Sequence, residues 1–480
     1  MTRKVVVLGY GMAGARLADE IRARDPECTR VALTVVGAEP HAAYNRVLLS
    51  AVVAGTMRPE LVRLHDGDWA AQHDIDLRTG VTAEHLDRAA RRIRLSDGSG
   101  VDYDALVLAT GSRPWLPPVE GLTLDDGTPA PGVATFRTLD DCDRILAAAR
   151  AGAPVAVLGG GLLGLEAARG LAGRGNLVTV VHPAAHVMER QLDAGAGRVL
   201  ARALGELGIG FRIGAGAARY LPGDGLKLDD GTQVPADLVV VSTGVRPETG
   251  LAAAAGLLVD RGVVVDDALR TSDGRIHAIG DCAQHAGAVP GLVEPAWQQA
   301  KVLAGLLTGT DVAARYRGTR VVTKLKARGI DLTALGDVHT DAADPDAEVV
   351  CLTDPVRGRY AKLVVRAERV AGAILLGAPD AAATITRLFD RGVPVPEDRL
   401  AVLLGRALPG GATVASSPAD LPAATVVCRC NSVTKGRLVE AFRAGATDVG
   451  ELASVTRATT GCGSCRDAVR GIADWLATTA

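Results

Sequence analysis

No apolar run in this chain approaches the ~18–20 residues that a membrane span needs. Neither sign of charge is in excess. Lys and Arg number 53 against 55 Asp and Glu, for a formal net charge of -2. A surface so balanced favours neither nucleic acid nor an anionic membrane as partner. There is also no cysteine between Cys28 and Cys142. The N-terminus, "MTRKVVVLGYGMAGARLADE", has the two basic residues and apolar stretch of a signal peptide. Its glycines break that stretch, and a charged amphipathic segment follows, so a cytoplasmic chain is expected instead. Thiols stay reduced there, and the eight cysteines are not read as disulfides. Cys28, Cys142, Cys282 and Cys351 are scattered, while the other four come in two tight pairs.

What the chain does have is glycine. Many of its 57 glycines directly follow short apolar runs, the pattern of phosphate-binding turns. At 480 residues, roughly three or four domains are expected. Residues 4–21 read as strand, glycine turn and helix, and a second strand leads to Glu39. Residues 155–172 repeat that plan, and "NLVTVVHP" supplies the following strand. From about 312 the pattern changes to alternating strand-like runs, implying a separate α+β domain. A stretch rich in Gly, Pro, Ser and Ala then reads as a linker. A small cysteine-bearing module ends the chain.

The first turn is Gly9-Tyr10-Gly11-Met12-Ala13-Gly14. Gly9 permits the tight turn, Gly11 lets backbone approach a pyrophosphate, and Gly14 allows close helix–strand packing. Glu39 lies at a strand end, where it can accept hydrogen bonds from a ribose hydroxyl. The second turn is Gly159-Gly160-Gly161-Leu162-Leu163-Gly164, and its strand ends on His182 rather than an acid. Neutral His can hydrogen-bond a ribose, while cationic His would favour a 2′-phosphate. The reading leans to NADH and leaves NADPH open. "LVLATGSRPWLPPVEG", with Thr110 and Gly111, reads as a strand, a turn and a crossover. A late strand ends at Gly280-Asp281, and Gly244 is counted with these cofactor-binding positions.

The paired glycine turns, the ATGSRP stretch and the late strand–Gly-Asp resemble the FAD-dependent pyridine nucleotide–disulfide oxidoreductase superfamily over about residues 3–310. The resemblance implies an α/β chain with two Rossmann-like domains. One binds FAD (1–118 and 244–311) and one binds NAD(P) (119–243). An α+β domain (312–404), a linker (405–424) and a small helical domain (425–480) follow. By the same resemblance the first turn and Glu39 hold the ADP portion of FAD, and Asp281 contacts the flavin chain near the ribityl group. The second turn holds the nicotinamide dinucleotide, and Glu166 lies near flavin and nicotinamide. An ordinary helix residue is the alternative for Glu166. Disulfide reductases of this kind carry cysteines shortly after the first βαβ unit. Here "AAYNRVLLSAVV" stands in that place, so electrons must leave the flavin by another route. Tyr44-Asn45-Arg46 resembles a stretch of the nitrite reductase and ferredoxin/rubredoxin reductase branch. Arg46 is therefore a candidate at the FAD phosphate or ring, a surface salt bridge being the alternative.

The module carries Cys428-x-Cys430 and Cys462-x-x-Cys465. Four thiolates so spaced suit a zinc ion or a [2Fe–2S] cluster. The intervening sequence, with "VTKGRLVEAFRAGATDVGELASVTRATTGCGSC", resembles the bacterioferritin-associated-ferredoxin type of [2Fe–2S] domain. That resemblance makes the four cysteines cluster ligands. Hydride brings two electrons and such a cluster takes one at a time, and a flavin exchanges electrons either way.

The expected protein is thus an electron carrier from NAD(P)H through FAD and [2Fe–2S] to an external protein. It resembles the N-terminal half of NAD(P)H nitrite reductase large subunits and the electron-transfer subunit of assimilatory nitrate reductase. "VVTKLKARGIDLTALGDV", with Lys324 and Lys326, adds to this match, although both lysines also suit a solvated strand face. No sirohaem motif follows the small module, so the expected partner is a separate nitrate or nitrite reductase catalytic subunit. The alternatives are a general ferredoxin or rubredoxin reductase, an amine or opine dehydrogenase subunit, and a redox-sensing docking protein.

Overall fold

The computed structural model describes residues 2–406, 418–428, 431, 433–460, 463 and 465–479. Much of the stretch read as a linker lies outside the described residues.

Two five-stranded parallel sheets carry the front of the chain. The first runs Ile276–Ala278, Ala105–Leu108, Arg3–Leu8, Val31–Gly37, Ile75–Thr79 from edge to edge. Its strands are near-continuous apolar runs because helices or other layers cover both faces. Val5, Val6 and Val7 are each at most 1% exposed, and each buried valine contributes about 1.5–3 kcal/mol. The second sheet runs Gly210–Ile213, Leu177–His182, Pro154–Leu158, Leu238–Val241, Val133–Thr135. Between the two, Ser112–Pro114 pairs antiparallel with Val245–Pro247. The chain leaves the first sheet along one of these short strands and comes back along the other.

The α+β region forms a third, antiparallel sheet of five strands, Val322–Lys324, Leu332–Gly336, Arg369–Leu376, Arg359–Arg366 and Glu348–Asp354. The amphipathic helix Pro379–Arg391 packs Ala381, Ala382, Ile385 and Phe389 against it. The small module has a two-stranded ribbon, Val426–Cys428 with Val433–Thr434, and the helices Lys435–Arg443, Val449–Thr456 and Arg466–Thr479. Leu438, Leu452, Val469 and Ile472 form its core. Among the described residues, no helix is long and apolar enough to cross a membrane.

Candidate functional site

Each glycine turn is forced by backbone contact. Gly9 and Gly159 have φ of +117° and +112°, a region costly for other residues. A Cβ on Gly9 would lie 2.1 Å from the carbonyl oxygen of Ala109, and one on Gly159 would lie 2.2 Å from that of Ser242. One turn further, a Cβ on Gly14 or Gly164 would strike the carbonyl of Gly9 or Gly159 at 1.8 and 2.0 Å. The helices that follow, Met12–Arg24 and Leu162–Gly173, start at Gly11 and Gly161 with no side-chain cap and no acidic residue in the first turn. Their leading N–H groups are left to a ligand, and the helix dipole favours an anion there. At Gly161 a Cβ would meet nothing within 4 Å, so the turn is open where a pyrophosphate would lie. Both turns fit a dinucleotide.

A cavity of about 370 Å³ opens along the first turn, within the range of small-molecule sites. Gly9, Gly11, Met12, Ala13, Glu39, Arg46, Thr110, Gly111, Gly280 and Asp281 line it. Leu162, Leu163 and Glu166 enter from the second domain, and Lys324 and Lys326 from the third sheet. Among the described residues, no cysteine lines it. The thiol of Cys282, beside Asp281, points away to the carbonyls of Leu108 and Ile279. Gly14, Gly159, Gly161, Gly164, His182 and Gly244 are not in the wall. Gly244, at φ +107°, instead accepts the N–H of Trp115 where the two crossing strands meet.

The Glu39 carboxylate, expected to accept from a ribose hydroxyl, also has partners within the chain: one oxygen pairs with Arg46 and the other takes the Tyr44 hydroxyl at 2.6 Å. Arg46 thus lies in the cavity wall, with its guanidinium 5.2 Å from the Tyr44 ring centre. Asp281 accepts from Ser112 Oγ at 2.9 Å and from Arg137 at 2.7 Å. Sequence reading missed Arg137, which belongs to no motif. Glu166 is buried and accepts the N–H of Lys326 at 3.0 Å. Burial raises its pKa, and the nearby Lys326 charge opposes the rise without cancelling it. Lys326 lies past its strand, and its ammonium donates to the Val47 carbonyl at 2.8 Å, which removes it from a solvated strand face.

At the second turn, His182 is buried and its Nδ1 accepts the N–H of Gly160 at 3.2 Å. Nε2 therefore carries the hydrogen and donates to Glu189 at 3.0 Å. Glu189, also missed, sets the tautomer.

In the small module Cys428 and Cys465 are buried. A hydrogen bond with Cys465, joined by the N–H groups of Asn431 and Thr459, pulls the Cys428 thiol well down. A site that lowers a thiol in this way suits a thiolate metal ligand. Cys430 and Cys462 lie outside the described residues.

Residues 3–300 match the family model of the pyridine nucleotide-disulphide oxidoreductases. The chain belongs to this family. Membership makes it a pyridine-nucleotide-dependent oxidoreductase. Residues 322–393 match the rubredoxin NAD+ reductase C-terminal domain, and residues 426–475 match the BFD-like [2Fe-2S] binding domain. The chain is 35% identical over 476 residues to the nitrite reductase [NAD(P)H] of Bacillus subtilis (strain 168), covering 98% of itself and 57% of that protein. It is 33% identical over 481 residues to the assimilatory nitrate reductase electron transfer subunit of the same organism, covering 99% and 60%. The chain therefore spans a little more than half the length of these relatives. Among solved structures, a putidaredoxin reductase–putidaredoxin complex is similar at a TM-score of 0.72 and 27% identity, over 82% of this chain and 94% of that one.

Proposed function

We propose that this chain is an NAD(P)H-dependent electron-transfer subunit that passes electrons to a separate nitrate or nitrite reductase catalytic subunit. One observation carries the reading: the small module sits against the cavity wall. Asn45, the neighbour of Arg46, donates its side-chain amide to the carbonyl of Thr460 in the module at 2.5 Å. The same Asn45 caps the turn Arg46–Leu48 by accepting the N–H of Val47. The stretch that lines the cavity is thus the stretch that receives the module.

In this reading the N–H groups after Gly11 hold the FAD pyrophosphate, and Arg46, Arg137 and Asp281 order the rest of the flavin site. Glu166 and Lys326 close the end shared with the nicotinamide. Cys428, Cys430, Cys462 and Cys465 hold a [2Fe–2S] cluster. Bound FAD supplies the exchange between a two-electron donor and a one-electron carrier. A cavity wall with no cysteine among its described residues supports transfer to the module rather than to a thiol beside the flavin. We read the donor as NADH, since the Glu189 carboxylate beside His182 opposes a 2′-phosphate. A cytoplasmic setting accords with the free thiols of Cys28, Cys142, Cys282 and Cys351.

The test is turnover of NADH or NADPH with ferricyanide by purified protein holding both flavin and cluster. Rapid turnover is expected. Its absence with both groups bound overturns the enzyme reading in favour of a redox-sensing docking protein. Mass spectrometry of proteins co-purifying with the chain then identifies the acceptor. A molybdopterin or sirohaem protein is the expected result.

A further inference from the structure

The module meets the first dinucleotide domain along a short polar seam, and its central pair is Asp19 with Arg457. Arg457 Nη1 lies 2.5 Å from Asp19 Oδ2. On one side of this pair Arg16 donates to Asn431 at 2.5 Å. On another, Asn45 donates to Thr460. A Cβ on Gly463 would lie 3.3 Å from the Leu48 side chain.

Asp19 is not an ordinary surface carboxylate, because its side chain is only 12% exposed. Its Oδ1 accepts from His65 Nε2 at 3.0 Å. His65 Nδ1 in turn takes the hydroxyl of Tyr10, in the first glycine turn, at 2.7 Å. Trp69 stacks on the His65 ring at 3.5 Å and 8°. The flavin domain therefore satisfies one oxygen of Asp19 and holds it rigidly, while the other oxygen is met by the module. A largely buried carboxylate short of a partner is costly.

On the module side Arg457 is equally constrained. It ends the helix Val449–Thr456 with φ +65°, and its carbonyl accepts from Asn431 and from Thr460 Oγ1. Asn431 also places its amide 3.7 Å from Cys428 Sγ. The arginine that meets Asp19 is thus tied through one side chain to a candidate cluster ligand.

We propose that Asp19 is a docking carboxylate that seats the chain's own iron–sulfur module, through Arg457, in the position competent for electron transfer. The inference rests on the electron-transfer reading above for its kinetic consequence, but not for the docking itself. Asp19 and Arg457 position the module and touch no reacting group.

The experiment uses the full holo-protein with Arg457→Gln, and with Arg457→Lys as the charge-retaining control. In stopped flow with NADH, Arg457→Gln is expected to slow cluster reduction about tenfold and to leave flavin reduction unchanged. Arg457→Lys restores part of the rate. Hydrogen exchange of residues 457–460 and of the helix Met12–Arg24 is expected to quicken in Arg457→Gln. Wild-type exchange and wild-type cluster reduction in that variant overturn the proposal. If the wild-type flavin is reduced but its cluster never is, the electron-transfer reading fails. The exchange measurement then still decides the docking role.

Discussion

The carboxylate of Glu166 accepts the backbone N–H of Lys326 at 3.0 Å, which ties the helix of the second glycine turn to the third sheet. The contact is buried, so removing it leaves a donor without a partner. Glu166→Ala is expected to cost about 1–3 kcal/mol, while Glu166→Gln keeps an acceptor and costs less. Chemical denaturation at neutral pH measures both. Because burial raises the Glu166 pKa, the folded protein holds this proton more tightly than the unfolded chain does. Its contribution to stability is complete below the ordinary carboxylate range and is lost as pH rises through the folded value. Glu166→Gln removes that part of the pH dependence, so wild type and variant diverge as pH is raised from 4 to 8.

The two glycine turns give separable outcomes. Gly159→Ala places a Cβ 2.2 Å from the Ser242 carbonyl. It should abolish dinucleotide binding at the second turn while FAD stays bound. Gly9→Ala should instead yield protein without flavin. Titration of NADH against intrinsic fluorescence, and the flavin absorbance of the purified protein, tell the two apart. Loss of FAD from Gly159→Ala would contradict the assignment of the turns.

Glu189 should govern the choice of nicotinamide donor. Glu189→Arg is expected to weaken NADH binding little and to strengthen binding of 2′,5′-ADP about tenfold or more, by exchanging repulsion of a 2′-phosphate for attraction. Calorimetry with 5′-AMP and 2′,5′-ADP measures this without any turnover. Equal affinity of the wild type for both nucleotides would remove the argument for NADH.

The cysteine module predicts a coloured protein with about two irons per chain. Cys465→Ala should abolish transfer to one-electron protein acceptors and largely spare reduction of the flavin by NAD(P)H. A colourless module holding one zinc would refute the cluster. Failure of flavin reduction in a folded Cys465→Ala protein would refute a linear path.

Much of this was legible from the chain because the signals are local. Gly9 and Gly14, or Gly159 and Gly164, shape a single turn, and the apolar runs beside them form strands with no other information. The module's core is likewise local, with Leu438 and Ile472 buried on its own helices. The polar partners were not legible. Arg137 reaches Asp281 across 144 positions, and Arg457 meets Asp19 across 457 − 19 = 438 positions. Neither pair leaves a periodicity or a motif. Glu39 lies two residues past the strand Val31–Gly37, and its two partners, Tyr44 and Arg46, follow from how the next loop folds back. For Lys326 a solvated strand face was left open, and the contact that excludes it, with the Val47 carbonyl 279 positions away, has no local signal.

The antiparallel pair Ser112–Pro114 and Val245–Pro247 also dictates an order of assembly during synthesis. Every strand of the second sheet lies between Val133 and Val241, so that sheet can close once its own residues have left the ribosome. The first sheet needs Ile276–Ala278 beside Ala105–Leu108, and its covering helix, Val293–Thr308, arrives later still. The domain encoded in the middle is therefore able to fold first. The opening strands wait, with their apolar faces exposed, for a segment more than 160 residues downstream (276 − 108 = 168). Truncation before Ile276 should accordingly give a chain whose middle is folded and whose beginning aggregates.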